Sequence, residues 1–104
     1  MTRRIFITPK ASQDLDDIYN FIAQSNPDTA LKFFDAARQT FSQLAKNPGI
    51  GTIYEVSKPE LQGLRKWRVR KFDKYIIFYR YFEDIVEVIR IIYARRDLSA
   101  ILEG

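Results

Sequence analysis

The chain is 104 residues long, 46% hydrophobic, 14% aromatic and 29% charged, with a net charge of +4 and neither cysteine nor histidine. Those proportions fit a folded domain with a true core, not a disordered segment. The missing residue types exclude disulfides, thiolate zinc sites, cysteine nucleophiles and any Ser-His-Asp triad, and they remove the commonest base near neutral pH.

At the N-terminus, Thr2-Arg3-Arg4 is followed by only three apolar residues, Ile5-Phe6-Ile7, before Thr8-Pro9-Lys10. That run is too short for a secretory leader and suits a buried strand. Thr8 and Pro9 read as the cap and first residue of a helix, because proline lacks the amide that would have no partner there. Ala11, Leu15, Ile18 and Ile22 then recur at helical spacing and predict a helix over residues 9–24. Asp14, Asp16 and Asp17 occupy its early turns, where the helix dipole favours negative charge.

Asn26-Pro27 repeats the cap-and-proline signal and opens a second helix over 27–46, whose apolar face is Ala30, Phe33, Phe34, Ala37, Phe41 and Leu44. The short link predicts an antiparallel helical hairpin. Residues 47–63, with their prolines and glycines, read as an irregular loop. From Leu64 the period changes. Trp67 and Val69 alternate with Lys66, Arg68 and Arg70; Tyr75-Ile76-Ile77-Phe78-Tyr79 suits a central strand; Phe82-Glu83-Asp84 is a turn; and Ile85 to Tyr93 is a β-branched return strand. Asp97 is placed to cap a last helical turn, Leu98 to Leu102, at a mobile end. The expectation is one domain over 1–104 of α+β class. In order β-α-α-β-β-β, a four-stranded antiparallel sheet is covered on one face by the hairpin. Its core draws on Ile18, Ile22, Phe33, Ala37, Phe41, Ile77, Tyr79, Val88 and Ile89 or their immediate neighbours. The longest uncharged apolar run, Tyr75 to Tyr79, cannot span a bilayer, so a soluble cytoplasmic protein with no membrane partner is the simplest reading.

Charge is unevenly spread. Residues 1–64 hold equal numbers of basic and acidic side chains, whereas 65–96 hold ten basic and four acidic ones. The C-terminal half therefore projects a positive field toward an anionic partner, nucleic acid or acidic protein. Arg65, Lys66, Arg68, Arg70 and Lys71 fall within seven residues with Trp67 between them, and Arg95-Arg96 follows the last strand. Such arginines suit phosphate contacts and equally suit carboxylates, and a solvated sheet face is the plain alternative. Little else offers chemistry. Asp14 and Asp17 lie at i,i+3 but nothing converges on them, the serines have no base, and Gly49, Gly51 and Gly63 make no phosphate-binding loop. No catalytic residue, metal site or cofactor is expected.

Five features recur in order: the Thr-Pro-x-Ala helix start, Pro-x-x-Ala opening the second helix, Gly63-Leu64-Arg65, the strand Tyr75-Ile76-Ile77-Phe78-Tyr79-Arg80, and Ala94-Arg95-Arg96-Asp97. Together, over about residues 3–98, they resemble the RelE/ParE superfamily of toxins from bacterial type II toxin–antitoxin systems. The resemblance implies one of two activities, ribosome-dependent cleavage of messenger RNA (RelE-like) or inhibition of DNA gyrase (ParE-like). Where the nucleases carry an arginine on the central strand this chain has Ile76, and where they carry a late tyrosine it has Ile101 or Leu102. Arg96 matches a nuclease arginine, and Trp67 and Val69 fall where two lysines would lie, although a one-residue shift puts Arg68 and Arg70 there. An arginine cannot serve as the base that cleavage at a 2′-hydroxyl requires.

The ParE-like reading is therefore preferred: a gyrase inhibitor and not an enzyme, silenced by a cognate antitoxin with a helical tail in a hetero-oligomeric complex. An atypical ribonuclease and a non-toxic binding module are the alternatives. The expected target-binding surface is Arg65, Lys66, Arg68, Arg70, Arg95 and Arg96. The family's antitoxin tails fold on binding, and Tyr19 and Phe34 are the expected seats for one, unless they only complete the core.

Overall fold

In the computed structural model, which describes residues 2–104, the strands and helices follow one another as β1 (Arg4–Ile7), α1 (Pro9–Ala23), α2 (Pro27–Lys46), β2 (Thr52–Ile53), β3 (Arg65–Val69), β4 (Phe72–Tyr81), β5 (Ile85–Tyr93) and α3 (Leu98–Glu103). Both helix starts form as their sequences dictate. Thr8 Oγ1 accepts from Ala11 N at 3.2 Å, and Asn26 Oδ1 accepts from Thr29 N at 3.1 Å, each satisfying one of the first-turn amides.

The α+β class and the hairpin hold, but the sheet differs from the expected one. It has five strands in the order β1-β5-β4-β3-β2, and β1 lies parallel to β5. The parallel pairing follows from connectivity. The hairpin carries the chain across one face of the sheet before it returns, so the first and last strands meet side by side in one direction. The fifth strand, β2, is two residues of the expected loop that pair with Lys66 and Arg65.

The hairpin covers one face, burying Ala11, Leu15, Phe33, Ala37, Phe41 and Leu44 against Val69, Ile77, Tyr79, Val86, Val88 and Ile91. Ile18 and Ile22 pack at its margin. The opposite face has a smaller core of Leu64, Phe78, Ile92 and Leu102, flanked by Tyr54, Val56, Ile76, Ile89 and Ile101. One strand can serve both cores because β5 carries an extra residue. Tyr79 pairs with Val88 but Phe78 pairs with Arg90, so Ile89 is bulged. The bulge reverses the alternation, which lets Val86, Val88 and Ile91 face the hairpin while Ile92 faces away. Ile89, expected in the main core, packs against the second one, because it follows Val88 and successive residues of a strand face opposite sides.

The C-terminus, expected to be a mobile end, is packed against the sheet. Asp97 Oδ1 accepts from Ala100 N (3.1 Å) and starts α3. Leu102 enters the second core. Glu103 Oε1 accepts from Ser57 N (2.6 Å), Ser57 Oγ (2.5 Å) and Lys58 N (3.3 Å). Those bonds, the Ser57 hydroxyl foremost, hold the Glu103 carboxyl below its ordinary value.

Asp14 likewise departs from its expected role. β1 stops covering β5 at Val88, so the next stretch of β5 is an edge. Thr8 Oγ1 donates to Ile89 O (3.1 Å), and Asp14 Oδ2 accepts from Ile91 N (2.9 Å), so the start of α1 closes that edge. The same carboxylate grips Arg90 in a fork, Nε to Oδ2 at 2.7 Å and Nη2 to Oδ1 at 3.0 Å.

Candidate functional site at the cationic end of the sheet

Adjacent antiparallel strands put alternate termini together. The end of β3, the start of β4 and the end of β5 therefore lie at one end of the sheet. Arg68 pairs with Ile76, Tyr75 pairs with Tyr93, and Ala94 N donates to Lys74 O at 2.6 Å. This gathers Arg68, Arg70, Lys71, Lys74, Arg95 and Arg96 from segments far apart in sequence. All six are exposed, and the carboxylates within the same segments are Asp73 and Asp97. Arg68 lies over the Trp67 ring at 5.0 Å and pairs with Asp73 at 3.2 Å.

Arg65 and Lys66, expected on the same surface, point elsewhere. Arg65 Nη1 donates to Gly51 O at 2.6 Å, with its guanidinium 5.6 Å from the centre of the Tyr81 ring. Lys66 sits over Tyr54 at 5.7 Å. Both are half-buried and tie the loop before β3 to the sheet. Beside them the Tyr79 hydroxyl donates to Pro48 O (2.6 Å) and accepts from Gly51 N (3.0 Å). A Cβ on Gly51 would stand 2.8 Å from Lys66 O, so only glycine fits this approach. Burial raises the Tyr79 phenol above its ordinary value of 10.0, the bond from Gly51 opposing the shift. Farther along β4, Arg80 is held by Glu87 at 2.8 Å and by the Glu60 carbonyl.

Thus the cations of the sheet divide into those engaged in the fold and those facing solvent at one end. Lys74 and Asp73 were missed from sequence as members of that end. The hairpin turn is visible there, but counting back from Glu83-Asp84 pairs Tyr75 with Ile92, and only the bulge at Ile89 makes the partner Tyr93. Arg70 is anchored through its backbone, its amide donating to the Thr40 hydroxyl at 3.0 Å, while its side chain is exposed.

An apolar groove of about 600 Å³ opens beside this end, lined by Ile18, Phe21, Tyr75 and Tyr93 with Asp17, Lys74 and Arg96 at its rim. Phe21 is 67% exposed. Tyr19 and Phe34 lie on another surface of the hairpin. They are half-buried and meet edge to face at 6.1 Å, which partly absorbs them into the helix contact. Leu31, 55% exposed, precedes Phe34 by three residues and extends that surface. Among the described residues no cluster of acidic side chains could hold a metal ion, and no helix is long and apolar enough to cross a membrane.

Comparison with known proteins places this architecture. No curated protein matched the sequence. A solved structure titled "Chromosomal ParDE TA system from P. aeruginosa" is similar in fold, with a TM-score of 0.75 and 24% identity over 90% of this chain and 98% of that one. Residues 5–98, which include nearly all of both cores and the whole cationic end, match the family described as ParE toxin of type II toxin-antitoxin system, parDE. The chain belongs to the ParE toxin family of type II toxin–antitoxin systems.

Proposed function

We propose that the protein is a cytoplasmic inhibitor of DNA gyrase that acts by binding, not by catalysis, and is neutralised by a cognate antitoxin. Within the toxin superfamily, the observation that carries the choice is the make-up of the cationic end. It offers mainly arginine and lysine, and its two carboxylates are already engaged, Asp73 with Arg68 and Asp97 with the first turn of α3. Guanidinium stays protonated. The nearest phenol, Tyr75, is pushed above its ordinary value by burial and then by Tyr93, and so holds its proton. Such a surface binds anions well and abstracts protons poorly.

The target-binding residues are Arg68, Arg70, Arg95 and Arg96, joined by Lys71 and Lys74. Arg65 and Lys66 support them by holding β3 to its loop. The antitoxin tail lays an apolar helix face on Tyr19, Phe34 and Leu31. Its acidic residues meet Lys74 and Arg96 at the rim of the neighbouring groove. The test is gyrase supercoiling measured with wild type and with the double variant Arg95→Ala/Arg96→Ala. Inhibition by wild type and its loss in a variant of unchanged melting temperature is the expected result. Full inhibition by the folded double variant removes Arg95 and Arg96 from the site. No inhibition by wild type, with transcripts cut on ribosomes instead, replaces the reading with a ribonuclease.

A further inference from the structure

A polar cleft of about 260 Å³ lies between the β3–β4 turn and α2, lined by Gln43, Trp67, Arg68, Arg70, Lys71 and Asp73. We infer that this cleft is a phosphate-binding site whose ligand is the backbone of duplex DNA. The inference takes its biological setting from the gyrase reading, while the binding it describes stands on the cleft alone.

Four observations carry it. First, the lining holds three cations and one carboxylate, and that carboxylate is already occupied by Arg68. Second, one cation rests on an aromatic ring and another has a fixed backbone. Arg68 rests on the Trp67 ring, and the Arg70 amide is fixed by Thr40, whose hydroxyl in turn donates to Ala36 O at 2.7 Å. Third, Lys71 adopts φ 67°, a left-handed conformation that is unfavourable for lysine. A turn that needs only this backbone would be better served by glycine, and lysine there adds a charge at the lip of the cleft.

Fourth, the cations do not stop at the cleft. From Arg70 and Lys71 they continue through Lys74 to Arg95 and Arg96 across the ends of β3, β4 and β5. Strands about 4.8 Å apart place the ends of β3 and β5 about 10 Å apart. That is about three base-pair rises of 3.4 Å along one DNA strand. A row of cations with this reach matches a repeating phosphate chain better than a single anion. The one apolar side chain of the lining is Trp67, whose ring is overlaid by Arg68, so an acidic peptide finds little apolar seat there.

Trp67 is the only tryptophan of the chain, which makes its fluorescence a reporter for this cleft. The experiment titrates the full chain with a short duplex of random sequence at several salt concentrations. Trp67 emission should change on binding, and log affinity should fall linearly with log salt. The variant Arg70→Ala/Lys71→Gly should reduce the magnitude of that slope by about 2. Its turn remains intact, because the Thr40 bond uses the Arg70 backbone and glycine favours the left-handed position; an unchanged melting curve checks this. Asp73→Asn, which frees Arg68, should tighten binding.

Absence of salt-dependent DNA binding overturns the proposal, as does a slope unchanged in the double variant. So does equal displacement of DNA by a poly-glutamate peptide at matched charge, which would make the site a general anion surface. Gyrase inhibition without DNA binding removes this site and leaves the inhibitor reading standing. DNA binding without gyrase inhibition does the reverse.

Discussion

The arginines of this sheet belong to two regions that treat the same side chain in opposite ways. In the body of the sheet, Arg65, Arg80 and Arg90 each have a fixed protein partner: the Gly51 carbonyl, Glu87 and Asp14. At the end formed by β3, β4 and β5, Arg70, Arg95 and Arg96 are exposed and form no ion pair among the described residues. Composition does not distinguish the two sets, and both lie in the basic half of the chain. The difference lies in whether an acceptor is brought within reach by the fold. Net charge alone is therefore a poor guide to a binding surface, and the part of it left unpaired is a better one.

Substitutions sharpen the contrast, because changes in the first region should cost stability and changes in the second should cost function. The largest loss is expected for Asp14→Ala. The Asp14 and Arg90 side chains are only 12% and 17% exposed, and removal of the acid leaves a guanidinium with no counter-charge and Ile91 N with no acceptor. About 3–5 kcal/mol should be lost, read from the denaturant midpoint at constant m-value. Tyr79→Phe comes next. It leaves Gly51 N and Pro48 O without their shared hydroxyl, at about 1–3 kcal/mol. Arg65→Ala should fall in the same range, because its guanidinium holds the same loop through the Gly51 carbonyl.

Smaller effects depend on pH. The folded Tyr79 phenol titrates above 10.0, so the unfolded chain ionises first as pH rises. The stability tied to the neutral phenol is complete below 10.0 and is lost as pH climbs through the folded value. Alkaline melting curves should show this loss, and Tyr79→Phe should flatten it. Glu103 behaves in the opposite sense. Its folded value lies below 4.5, so its contribution is present above 4.5 and fades as pH falls through the folded value. Amides of α3 should then exchange faster with solvent while those of β4 and β5 do not. The smallest effect on stability is expected for Arg95→Ala/Arg96→Ala, within about 0.5 kcal/mol. A larger loss would move these arginines into the first region.

Much of the fold could be read from local signals, because those signals are local physics. Thr8-Pro9 and Asn26-Pro27 set the helix starts, and the apolar periods set their buried faces. The family, too, was legible from five short features. Pairing over long distance was not. Nothing near Ile5 says that its neighbour is Val86, and the parallel direction of β1 comes only from the path of the hairpin. The site was half legible for the same reason. The clustered cations were visible, but Arg65 and Arg68, three residues apart, have different fates because one faces Gly51 and the other lies beside Trp67 and Asp73. The register that sets Lys74 opposite Ala94, next to Arg95 and Arg96, could be fixed only once the bulge in β5 was known.

The parallel pairing of β1 with β5 also sets an order in time. Arg4 waits for Ile85, so during vectorial synthesis the first strand has no partner until most of the chain has been made. The α1–α2 hairpin, built from contacts close in sequence, can form early, whereas closure of the sheet must await the longest loop in the molecule. The cationic end is assembled last of all, since β5 supplies both the neighbour of β1 and the arginines that follow it. A nascent chain would therefore carry its helices well before it carried a complete anion-binding surface, and a chain cut short before β5 would never acquire one.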